Sequence, residues 1–138
     1  MDCALSLMRA MCALCCRPEN ILYSTPEAVA EPVIADFGLA KIVGKVEVHA
    51  SLVGTPGYLS PEIITSRIYT PACDVWALGV ILYILLCGYP PFYAEDNKAL
   101  YEQIVAGAFE FHEDAWHEVC AWLVCLICVL WCCVLAVI

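Results

Sequence analysis

The sequence predicts a mainly helical α+β fold with an added apolar helix at its C-terminal end. Three observations carry this reading. An apolar run of 13 residues, Val75 to Cys87, stops at Gly88-Tyr89-Pro90-Pro91 and has the length of a buried core helix. Asn97 to Ala106 sets Leu100, Tyr101, Ile104 and Val105 on one face at helical spacing. The β contribution comes from two short apolar runs, Ile21-Leu22-Tyr23 and Pro32-Val33-Ile34-Ala35, separated by a polar, Pro-containing turn from Ser24 to Glu31.

Taken in chain order, residues 1–17 are rich in Cys, Met and Leu and are expected to be helical, without a strong cap. The two apolar runs that follow are expected as short buried strands. Residues 38–58 are expected as loop, punctuated by Gly38, Gly44, Gly54, Pro56 and Gly57. Asp74 is placed to cap the apolar helix 75–87, because its carboxylate can accept the free N–H groups of the first turn. From Val119 to Ile138 run 20 residues without charge, Pro or Gly. At about 1.5 Å per residue such a helix matches the roughly 30 Å hydrocarbon core of a bilayer, so this segment is expected as a transmembrane or a buried apolar helix.

Composition narrows the function classes. The chain has 138 residues, of which 63% are hydrophobic, with mean hydropathy +0.81. One ordinary domain fits that length, and a two-lobed nucleotide enzyme does not. Net charge is −9 with only six Lys or Arg, which argues against nucleic acid as a partner and is compatible with basic peptides. Eleven Cys invite a zinc reading of Cys12-x-x-Cys15 and Cys125-x-x-Cys128, but both pairs lie in apolar, Gly-free runs rather than polar turns. With no secretory signal evident, a reducing compartment is expected.

Four motifs in order go further: Arg17-Pro18-Glu19-Asn20, Ala35-Asp36-Phe37-Gly38, Gly54-Thr55-Pro56-Gly57-Tyr58 with Ser60-Pro61-Glu62, and Asp74-Val75-Trp76-Ala77-Leu78-Gly79. Together they resemble the ordered signatures of protein kinases. Ile84 to Tyr93 looks most like the calcium/calmodulin-dependent branch of the Ser/Thr kinases. The resemblance divides the chain into a divergent Cys-rich segment (1–16), a partial protein kinase large (C-terminal) lobe (17–118), and the apolar helix (119–138). It implies Mg²⁺ and ATP as cofactors, with Asp36 and Asn20 as the metal ligands, hard oxygen donors of the kind Mg²⁺ prefers. Read without the family, Asp36 opens a loop and Asn20 satisfies a local turn. The resemblance further implies an activation segment from Gly38 to Glu62. Ser51 is then a phosphorylatable regulatory residue, Thr55 a residue that orients the catalytic Asp, and Glu19 a contact for a basic substrate residue. Glu62 and Asp74 take structural roles.

The pattern also fails at named positions. The family's catalytic Asp should fall at position 15, which is Cys15, and Arg17 stands at the catalytic-loop Lys. No Gly precedes Gly38 and no Lys precedes Lys41, so these residues hold no Gly-rich phosphate cover and no ATP-pairing Lys. No basic residue follows Lys98 to supply the Arg that pairs with Glu62 in the family. The expectation is therefore a truncated, catalytically inactive relative of protein Ser/Thr kinases that binds Mg²⁺ and ATP weakly or not at all. The alternative is a membrane-tethered, pseudokinase-like interaction module with a protein or peptide partner, placed at the membrane by a C-terminal anchor or in the cytoplasm.

Overall fold

The computed structural model describes residues 11–12, 17–27, 29–36, 41–42, 48–49 and 54–135. Among these, six short strands precede or interleave five helices, and the helices hold the core. β2 (Ile21–Tyr23) and β3 (Pro32–Ile34) pair antiparallel with Ile21 opposite Ile34. This is the predicted hairpin, but it is not buried. Leu22 and Tyr23 are exposed, as is Val33, because the pair is a lone two-stranded ribbon with no third strand among the described residues to cover it.

The N-terminal expectation also changes where it can be followed. Met11–Cys12 is a strand, β1, paired with β4 (Lys41–Ile42) rather than a turn of helix. The 38–58 stretch is likewise less irregular than its Gly and Pro suggest. Besides β4 it carries β5 (Val48–His49), paired with β6 (Ile68–Tyr69), and a 3-10 turn at Pro56–Tyr58. Long-range backbone pairing overrides local punctuation at these positions.

α1 (Pro61–Ser66) begins with Pro at its first position, where the missing N–H costs nothing. α2 runs from Ala72 to Cys87, three residues earlier than the apolar run predicted. Asp74 therefore lies inside the first turn rather than at the cap position. The Thr70 hydroxyl accepts the Ala72 N–H at 3.3 Å, while the Asp74 charge favours the positive end of the helix. α3 (Asn97–Ala106) matches its predicted bounds. Asp96 caps it by accepting the N–H groups of Lys98 and Ala99 at 2.8 and 2.9 Å, and Gly107 ends it at φ 61°. α3 buries Leu100 and Ile104, whereas Val105 faces outward.

α4 (Glu113–Trp116) and α5 (Ala121–Leu135) close the core against α2. The 15 residues of α5 span about 22 Å, short of a bilayer's hydrocarbon core. Among the described residues, no helix is long and apolar enough to cross a membrane. One face of α5 packs on α2 through Ile127, Trp131 and Val134, all buried, while Trp122, Leu126 and Val129 are exposed. Trp131 is the keystone: it sits 4.4 Å from the Phe109 ring and 5.6 Å from Trp76, and its indole N–H donates to the Trp76 carbonyl at 3.3 Å. Gly79 makes this approach possible. A Cβ there would lie 2.5 Å from Trp131 Nε1.

Candidate functional site

The site forms where the turn at Pro18–Asn20, the end of β3 and the Gly54–Tyr58 segment meet. Pro18 opens a single 3-10 turn, which the Asn20 N–H closes onto the Arg17 carbonyl at 3.0 Å. Asn20 is buried there. Its carbonyl accepts the Ala35 N–H at 2.7 Å, one step past the β2–β3 ladder. That bond carries the next residue, Asp36, to the same corner. Asp36 adopts φ 59°, the left-handed conformation that Asp tolerates better than most side chains.

Arg17 ties the corner together. Its Nη2 lies 3.8 Å from Asp36 Oδ2, and its Nη1 donates to Thr55 Oγ1 at 3.4 Å. The Arg17 and Asp36 side chains are 42% and 59% exposed, so the pair contributes at most about 1 kcal/mol and leaves the carboxylate open to exchange its partner. Glu19 is exposed beside Tyr58, and burial together with the Glu19 charge pushes the Tyr58 hydroxyl above its ordinary pKa. Four of the residues singled out in the sequence, Arg17, Asn20, Asp36 and Thr55, thus converge from three separate segments. Cys15 and Ser51 lie outside the described residues.

Glu62 stands apart from this corner. It is in the first turn of α1, and both carboxylate oxygens are buried with no well-formed hydrogen bond among the described residues. Burial raises its pKa above the ordinary 4.5, only partly opposed by the neighbouring backbone N–H and the Ser60 hydroxyl. The folded state holds the Glu62 proton to higher pH than the unfolded chain does. The penalty is therefore nil below about pH 4.5, grows as pH rises through the raised folded value, and is constant above it. Glu62→Gln is expected to stabilise the protein by about 1 kcal/mol near neutral pH and to leave it unchanged in acid. Thermal melts of both chains from pH 4 to 8 test this; a variant whose difference from the parent stays flat across that range contradicts it.

Sequence reasoning missed the Arg17 clamp, since nothing in a lone Arg says which carboxylate it will meet. It also missed Arg67, which ends α1 at φ 59° and buries Nη1 with no hydrogen-bond partner among the described residues. As for metal, a carboxylate and an amide oxygen are a suitable partial donor set for Mg²⁺, which completes its shell with phosphate and water oxygens. Among the described residues, no cluster of three His, Cys, Asp or Glu side chains forms a self-sufficient metal site.

The described residues thus form a mainly helical domain in which Asn20, Asp36 and Thr55 meet at one corner through Arg17 and the Ala35 backbone, as the protein kinase resemblance implies. Comparison with protein families agrees: the protein kinase domain matches residues 16–133, most of the chain and most of α5, and the chain belongs to that family. Among curated proteins it is similar to calcium/calmodulin-dependent protein kinase type 1 of Macrobrachium nipponense, with 48% identity over 103 residues. It is 47% identical over the same length to calcium/calmodulin-dependent protein kinase type 1B of Rattus norvegicus and of Homo sapiens. In each case the match covers 75% of this chain and 30% of the relative, so the chain spans about a third of the length of the curated relatives it matches.

Proposed function

We propose that these 138 residues carry the metal-ligand and activation-segment framework of a protein Ser/Thr kinase and do not by themselves transfer phosphate. The observation that carries the reading is the pairing of a formed corner with a missing base. Arg17, Asn20, Asp36 and Thr55 converge, while position 15, which the motif spacing assigns to the catalytic Asp, is Cys. An unactivated thiol is mostly protonated at neutral pH and neither orients a substrate hydroxyl nor accepts its proton as a fixed carboxylate does.

The remaining residues have definite tasks. Asp36 and Asn20 would hold Mg²⁺, which would supply charge neutralisation to the phosphates of ATP. Arg17 restrains the Asp36 carboxylate and holds Thr55 in place, and Glu19 offers a negative charge to a basic protein substrate or partner. Within these residues no Lys or Gly-rich cover precedes Asp36, so nucleotide is held at the metal end only. Titration calorimetry with Mg·ATP is expected to give a Kd of about 1 mM or weaker, and Asp36→Ala to abolish what signal there is. Micromolar binding that depends on Asp36 contradicts the reading.

A further inference from the structure

α5 carries no charged side chain, so its faces differ only in what covers them. The face that holds Ile127, Trp131 and Val134 is closed by the core. The opposite face is open. Trp122, Leu126 and Val129 are 84%, 45% and 56% exposed, and Cys125 and Cys132 are exposed beside them. Trp122, Cys125, Val129 and Cys132 follow one another at steps of three, four and three positions, with Leu126 at the flank. That spacing gives one helix a continuous apolar seam against another. A helix that is apolar all round belongs in a buried setting, and α5 is covered on one side only.

Charge selects what covers the other side. The chain carries −9, and Glu110, Glu113, Asp114 and Glu118 lie just before α5. None of its residues after Lys98 is Lys or Arg, so a lipid surface finds no basic anchor beside this face. A second α5 meets it without burying any charge, and the same face then serves both copies. Parallel pairing sets the two acidic flanks side by side. Antiparallel pairing places each flank beside the uncharged far end of the other helix and opposes the two helix dipoles. Trp122 then faces the partner's Cys132, and Cys125 faces the partner's Val129. Covering Trp122 alone withdraws about 200 Å² from water. The five residues together supply roughly 500 Å² a side, which reaches the total of about 1,000 Å² that a specific interface needs.

We infer that the chain self-associates as an antiparallel dimer through the open face of α5. The inference rests on the docking of α5 through Trp131 and does not depend on whether the chain transfers phosphate. Sedimentation equilibrium of the 138-residue chain in reducing buffer is expected to show monomer and dimer with a Kd of about 10 μM. Trp122→Ala and Val129→Lys are each expected to weaken association about tenfold. Val129→Lys does so although it lowers the net negative charge and with it the general repulsion between copies. Val29→Lys, the same change at a valine that is 94% exposed far from α5 in sequence, is expected to leave association unchanged. All three side chains are exposed, so circular dichroism melts at concentrations where the chain is monomeric are expected to match the parent. Orientation is read from air oxidation of Val129→Cys with copper–phenanthroline, which is expected to join Cys125 of each copy to position 129 of the other. A chain that stays monomeric at about 100 μM, equal loss in Val29→Lys and Val129→Lys, or no loss in Trp122→Ala overturns the inference. So does a dimer joined chiefly from Cys125 to Cys125, which shows parallel pairing. A monomer that floats with neutral phosphatidylcholine vesicles overturns it as well, because lipid rather than a second copy then covers the face.

Discussion

Residues 1–138, given Mg²⁺, radiolabelled ATP and a mixed basic peptide library, are expected to transfer no phosphate above background, and Cys15→Asp is expected not to restore transfer. Two deficits of unequal size stand in the way. General-base help is worth about 10²–10⁴ in rate, so its loss alone leaves traceable activity. Loss of positioning costs more, since holding two reactants in line contributes about 7–11 kcal/mol. Asp36 and Asn20 sit together, but nothing among these residues covers or pairs the outer phosphates, and Arg17 already engages Asp36. Returning a carboxylate to position 15 repairs the smaller fault. Asp36→Ala in the Cys15→Asp background is the control for contaminating kinase. Label transfer that depends on Asp36, in the parent chain or in Cys15→Asp, shows that the large lobe suffices and the proposed function is wrong.

Trp131→Ala is expected to destabilise the fold by about 3–5 kcal/mol, a large part of the 5–15 kcal/mol that holds a domain together. The side chain is fully buried among Trp76, Tyr83, Phe92 and Phe109, and its removal empties the centre of the aromatic cluster and takes the indole hydrogen bond from the Trp76 carbonyl. Gly79→Ala attacks the same contact from the other side. Its Cβ overlaps the indole edge, and forced overpacking of this kind costs about 1–3 kcal/mol. The two substitutions share one cause, so their effects are expected not to add: with Trp131 gone, Gly79→Ala has nothing to strike. Urea melts of the four chains in a double-mutant cycle measure this. Simple additivity, or a Trp131→Ala chain as stable as its parent, shows that α5 is not docked on α2.

The same contact decides between the two environments, membrane and protein core, that hydropathy alone leaves open for the last 20 residues. Val119 to Ile138 is uncharged throughout, and a lipid and a protein core solvate such a helix about equally well. What separates the two environments is shape. A gap at Gly79 receives one indole, and the indole N–H donates to the Trp76 carbonyl of α2. Neither fact is visible in residues 119–138, because each depends on a residue more than 50 positions away.

Much else was legible. The Gly88-Tyr89-Pro90-Pro91 stop and Gly107 fixed the ends of α2 and α3, since Gly takes the left-handed caps at φ 84° and 61° at little cost. The apolar spacing of Leu100 and Ile104 marked the buried face of α3. Motif order marked Asn20, Asp36 and Thr55 as belonging together, and they converge. Local sequence determined the helices because caps, turn residues and 3.6-residue periodicity act over a few positions. Tertiary structure alone decided that β2 and β3 stay exposed, that Arg17 bridges Asp36 and Thr55, that the Glu62 carboxylate is buried, and that α5 turns Trp131 toward Gly79. Each of these depends on which distant surfaces meet, and burial, charge pairing and close packing take their values only once those surfaces are in place.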